Sequence, residues 1–155
     1  MFKNFVIGLV LFLIAGMAHA DWQRMSIDNR AVDYELAYVQ PTDTTGFVVG
    51  CEEERDLFVG VLTGRPHGGE VHVQWVVEGH TGQRESFNWL FMRDLGFVAT
   101  TEEVNRNQVM DMLYAMTQGG TLHYVVDFMF DGVIHVDEDG QEKLREVAGV
   151  CGHDF

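Results

Sequence analysis

The middle of the chain alternates between apolar and polar positions. In "EVHVQWVVEG", Val71, Val73, Trp75 and Val77 fall on one side, and His72, Gln74 and Glu78 on the other. That period of two marks a half-buried strand. "RESFNWLFM" repeats the pattern with Phe87, Trp89 and Phe91. Upstream, "YELAYVQ" (Tyr34 to Gln40) is aromatic and β-branched and stops at Pro41. Phe47 to Cys51 and Leu57 to Leu62 read as two arms of a hairpin, with Glu52 to Arg55 as its polar turn. "RPHGG" and "HTGQ" supply turn residues between strands. "TLHYVVDFMF" and "VIHVD" form a last hairpin, joined by the two-residue turn signal Asp131-Gly132. On that register Leu122, Tyr124, Val126, Phe128 and Phe130 face the core, while His123, Val125, Asp127 and Met129 face away. Phe128 then stands opposite His135, with His123 well away along the ladder.

Two stretches change the period. "TTEEVNRNQVMDMLYAMTQGG" places Val109, Met112, Leu113 and Met116 at helical spacing. Thr100 with Glu103, or Asn105 with Gln108, can cap its start, and Gly119-Gly120 ends it. In "DEDGQEKLREVAGVCG", Asp139 and Glu142 resemble a capping box, and Leu144, Val147, Ala148 and Cys151 form one stripe. The elements predict a mainly β domain: an antiparallel β-sandwich or curled sheet of about seven strands with two short α-helices. Strict alternation argues against a parallel doubly wound sheet.

The first twenty residues, "MFKNFVIGLVLFLIAGMAHA", change the picture. Lys3 is the only charge, an apolar run follows from Phe5 to Ile14, and Ala18-His19-Ala20 has the small-x-small form that signal peptidase cuts. The apolar run falls short of the roughly 20 residues that cross a bilayer. Residues 1–20 are therefore expected to be a cleaved signal peptide and residues 21–155 a single domain, periplasmic or secreted. Loss of Lys3 takes the net charge from −14 to −15. Such a surface repels nucleic acid and anionic lipid, and suits solubility or a cationic partner. In an exported chain the only two cysteines, Cys51 and Cys151, are expected to form a disulfide that ties down the C-terminal helix. A free catalytic thiol and a metal site are the rival readings.

The order of elements from Gly46 to Cys151 resembles a known group. "GFVVGC" carries the upstream cysteine and a Trp-bearing strand follows. "VMDMLYAMTQGGTL" then leads into a strand and a hairpin, and "LREVAGVC" closes as a helix ending in cysteine. This is similar to exported proteins of the invasion-associated locus B type and to periplasmic accessory proteins of type VI secretion. The Asp-rich "DEDG" departs from the more apolar lead into the helix expected there. The resemblance implies a β-sandwich, an envelope location and an accessory or binding role without known chemistry. It carries over no catalytic residue.

Candidate chemistry is sparse. After Ala20 the serines are Ser26 and Ser86, and neither lies in a G-x-S-x-G elbow. His135 or His153 could serve a cysteine nucleophile only if the thiol stayed free. Local spacing brings no three of the histidines together as metal ligands, His72, His80, His123 and His135 included. "DEDGQE" is too short for a calcium loop. "EEERD" (Glu52 to Asp56) reads as a solvated turn. Carboxylate pairs for glycoside hydrolysis are invisible to spacing. No catalytic residue, metal ligand or cofactor is therefore assigned. Trp22, His123, His135, Asp137 and Asp139 are the candidate ligand or partner surface. The function expected is that of a non-enzymatic envelope accessory or binding protein, with another envelope protein or a cationic ligand as partner. A small periplasmic hydrolase using carboxylates or a histidine, and a metal-binding protein, are the alternatives.

Overall fold

The alternating segments pair edge to edge into antiparallel sheet. A computed structural model describes residues 19–29, 32–52, 55–63, 71–77, 85–92 and 97–155. The strands are β1 (His19–Asn29), β2 (Val32–Thr42), β3 (Thr45–Glu52), β4 (Arg55–Leu62), β5 (Val71–Val77), β6 (Glu85–Met92), β7 (Phe97–Thr101), β8 (Gly120–Val126) and β9 (Phe130–Val136). Helix α1 (Glu102–Thr117) sits between β7 and β8, and α2 (Glu138–Val150) follows β9. Strands lie in the order β1-β2-β3-β4-β7-β6-β5-β8-β9. β6 belongs to both halves: Glu85 to Trp89 pair with β5, and Leu90 to Met92 pair with β7. The mainly β, two-sheet architecture with two helices is thus the one expected. The strands beyond the expected set are β1, whose sequence is mostly polar, and the five-residue β7.

Apolar faces decide how the layers stack. Val49, Cys51, Val59 and Val61 share one core with Val73, Trp75, Leu122 and Ile134. Val109, Met112, Leu113 and Met116 of α1 and Leu144 and Val147 of α2 fill the same core, as their helical spacing requires. Each such side chain contributes about 1.5–3 kcal/mol on leaving water. The β2–β4 wall is apolar on its other face as well, with Tyr34, Leu36, Tyr38, Val48, Phe58 and Leu62 buried.

Turn and cap positions differ from the expectations in five places. Pro41 lies inside β2 beside a register shift, and the strand continues to Thr42. Asp131-Gly132 is not a turn. β8 and β9 are joined through Asp127, Phe128 and Met129, with Val126 opposite Phe130 and Tyr124 opposite Gly132. A Cβ on Gly132 would stand 2.1 Å from Tyr124 Cζ, so the glycine makes room for the ring rather than for a turn. Phe128 accordingly lies at the hairpin tip, 75% exposed and not in the core. Fourth, α2 is capped by Asp137, whose carboxylate accepts the Gly140 N–H at 2.8 Å. Asp139 instead pairs with Lys143 one turn on. Fifth, the N-cap of α1 is Thr101, with no side-chain cap bond, rather than Thr100 or Asn105; Asn105 instead breaks the helix (φ −134°, ψ 55°) and donates to Thr100 Oγ1. The Phe87, Trp89 and Phe91 side chains lie outside the described residues, as do His80, "RPHGG", "HTGQ" and the leader up to Ala18.

The expected crosslink is present: Cys51 and Cys151 are bonded across 100 residues, with a Cα–Cα distance of 5.8 Å. Leu144, Val147, Ala148 and Cys151 are all buried, so the stripe of α2 that faces the sheet is the stripe that carries the sulfur.

Candidate functional site

The β8–β9 hairpin builds the first candidate surface. Asp127 and Phe128 both take positive φ, 49° and 60°. For residues with a Cβ that conformation costs about 1–2 kcal/mol each. Asp127 is held there from a distance: its amide donates to the His72 carbonyl at 2.8 Å, and its carboxylate accepts the His72 N–H at 2.9 Å. Met129 N–H closes the turn on the Val126 carbonyl. The clamp leaves Phe128 and Met129 in water, 75% and 69% exposed.

Below the tip, the outward row of the hairpin mixes apolar and titratable side chains. His123 pairs with Val133 and Thr121 with His135. The corrected register makes His123 and His135 diagonal neighbours on one face, where the Asp-Gly turn would have kept them far apart. His135 Nδ1 lies 3.3 Å from Thr121 Oγ1. His135, Val133 and Asp131 are exposed, and Asp137 and Asp139 are exposed just beyond the end of β9. Four of the candidate surface residues therefore gather on the hairpin and the start of α2. Trp22 does not. It is 2% exposed, donates to the His135 carbonyl at 3.1 Å, and lies against Phe47 and Gly140. Its place is in the packing between β1, β9 and α2. Among the described residues no three His, Cys, Asp or Glu side chains group closely enough to hold a metal ion.

Tyr124 fixes the hairpin to the opposite half of the sheet. Its hydroxyl donates to the Leu62 carbonyl at 2.8 Å and accepts the Gly46 N–H at 3.3 Å. Burial pushes the phenol up to about 12.

A second feature is an open recess of about 480 Å³ beside the disulfide, lined by Asp56, Glu102, Glu103, Arg106, Cys151, Gly152 and His153. Glu102 is held from two sides: Arg106 Nη1 donates to it at 2.9 Å, and His153 Nε2 lies 2.8 Å from its other oxygen. The carboxylate and imidazole come from positions 51 residues apart, so no local spacing announces them. The lining residues carry neither a hydroxyl nucleophile nor a free thiol, since Cys151 is crosslinked.

No helix among the described residues is long and apolar enough to cross a membrane. The Cys51–Cys151 disulfide is compatible with an extracellular or periplasmic protein. In comparisons with known protein families, curated proteins and solved structures, nothing matches this chain.

Proposed function

We propose that the protein is an exported accessory or binding protein of the cell envelope, freed from its leader after Ala20, that acts by holding another envelope protein. The observation that carries the reading is the β8–β9 tip. Two large apolar side chains, Phe128 and Met129, stand in water on a turn held at positive φ. Exposure and strain of this kind have no stabilising role in the fold and are characteristic of contact sites. The signal-like leader and the Cys51–Cys151 bond support export. The role is the one that the resemblance to invasion-associated locus B proteins and type VI secretion accessory proteins implies. Tagged protein recovered from its native envelope should retain one partner through washing, and the double substitution Phe128→Ser/Met129→Ser should lose it. Recovery of the same proteins by both forms would remove the basis for this reading.

A second reading, a small hydrolase, is favoured by the Glu102–His153 pair in the recess. A carboxylate that orients an imidazole is the arrangement that general-base catalysis uses. His153→Ala should then abolish hydrolysis of a responsive ester or glycoside substrate while leaving the unfolding midpoint nearly unchanged. Equal activity of both forms would set this reading aside.

A further inference from the structure

β9 ends the sheet, and among the described strands it pairs only with β8. Its other edge points outward. The His135 carbonyl, which accepts Trp22 Nε1 at 3.1 Å, marks that side. In an antiparallel ladder, alternate residues turn their N–H and C=O away from the partner. Asp131 and Val133 therefore face the same way as His135, and their side chains are exposed too. Trp22 closes the edge at His135. Nearer the tip, Asp131 and Val133 have no backbone hydrogen bond beyond the β8 ladder among the described residues.

Edges are usually blunted by lysine, proline or a bulge. β9 reads "FDGVIHV" and has no lysine or proline, and its pairing with β8 runs without a register shift. The apolar tip, Phe128 and Met129, extends the same edge, and Val133 (49% exposed) lies further along β9.

We infer that this edge takes an extended, basic segment of another protein, which adds as a further strand beside β9 and seats apolar side chains against Phe128, Met129 and Val133. The inference rests on the binding role proposed above and names the chemistry of its partner. Charge selects the occupant. The chain without its leader carries −15, and Asp131 near the tip and Asp137 and Glu138 just beyond the end of β9 flank the strand. A second copy would set those acids against their own kind, and an anionic bilayer would be repelled in the same way. Alternating lysine and apolar side chains would meet both the acids and the tip. Main-chain hydrogen bonds supply the register, as in other strand additions.

The test uses isotope-labelled, oxidised protein and a short peptide of alternating lysine and valine, with a glutamate–valine peptide as control. The lysine peptide should shift the Asp131 and Val133 amides saturably and slow their hydrogen exchange. Added salt should weaken it. Phe128→Ser/Met129→Ser should lower its affinity by about tenfold or more. A lysine peptide methylated on alternate backbone nitrogens should lose binding if it presents those positions to β9. Each of these outcomes would overturn the inference: amides of β9 unmoved at saturating peptide, equal binding of the glutamate peptide, or concentration-dependent shifts at Val133 without peptide, which would mean self-association. If the envelope partner is still lost on Phe128→Ser/Met129→Ser while the β9 amides never respond to lysine peptide, the binding role stands and strand addition fails.

Discussion

Gly140 and Gly149 lie on the same helix, and alanine at each makes the same chemical change in opposite surroundings. In a helix the substitution alone favours folding by about 1 kcal/mol, because glycine leaves more freedom in the unfolded chain. At Gly149 nothing lies within 4 Å of the new methyl, so that gain is expected nearly whole. At Gly140 the methyl would stand 2.5 Å from Trp22 Nε1 and 2.6 Å from Cδ1. The ring has little room to withdraw. Its N–H is engaged by the His135 carbonyl at 3.1 Å, and its edge meets Phe47 at 6.2 Å between centroids. Overpacking of this kind costs about 1–3 kcal/mol, and a broken indole hydrogen bond adds about 1. Gly140→Ala should therefore destabilise by about 1–3 kcal/mol, and Gly149→Ala should stabilise by about 0.5–1. Urea unfolding of oxidised protein, with equal slopes, would read this as midpoints about 1–2 M apart. If both substitutions raised the midpoint, the placement of Trp22 against the first turn of α2 would be refuted.

Other outcomes follow from the same contacts. Cys51→Ser and Cys151→Ser should each cost about 4–5 kcal/mol by loop-closure arguments, and the double variant no more than either. Unequal losses in thermal melts would mean that the two sulfurs have separate roles. Leu144→Asp buries a carboxylate at a position 1% exposed and should cost more than about 4 kcal/mol; an unmoved midpoint would contradict the amphipathic assignment of α2. Tyr124→Phe removes the bond to the Leu62 carbonyl and should cost about 1–3 kcal/mol. The Tyr124 phenol is raised from 10.0 to about 12 by burial, so the folded state favours its neutral form. Its contribution is whole below pH 10.0 and is lost as the pH rises through about 12, about 2–3 kcal/mol in all. Tyr124→Phe should flatten that alkaline fall, and a fall of equal depth in both proteins would exclude Tyr124 as its source.

What the sequence made legible was what local pattern encodes. Val71 to Val77 alternate, and the structure buries and exposes them in that order. The stripes of both helices were readable for the same reason, and the cysteine pair because the chain has only two. Three features were not, because distant residues set them. Gly132 looks like a turn residue until Tyr124 is laid across it. Asp127 holds a positive φ because both its amide and its carboxylate grip His72, 55 residues away. Trp22 sits in a polar stretch and looks like a surface aromatic, yet the gap left by Gly140 accommodates it. The choice among Asp137, Asp139 and Glu142 as cap depends on where β9 ends, and the register of the hairpin decides that. The candidate surface was half legible: its histidines and acids were singled out, while the wrong turn placed Phe128 in the core.

The covalent tie between β3 and the end of α2 holds the C-terminal helix on the sheet. Peptide mapping of freshly isolated protein, alkylated without reduction, measures it directly. One crosslinked fragment containing both Cys51 and Cys151, with no alkylated thiol, is the result predicted. Two alkylated cysteines on separate fragments would contradict it.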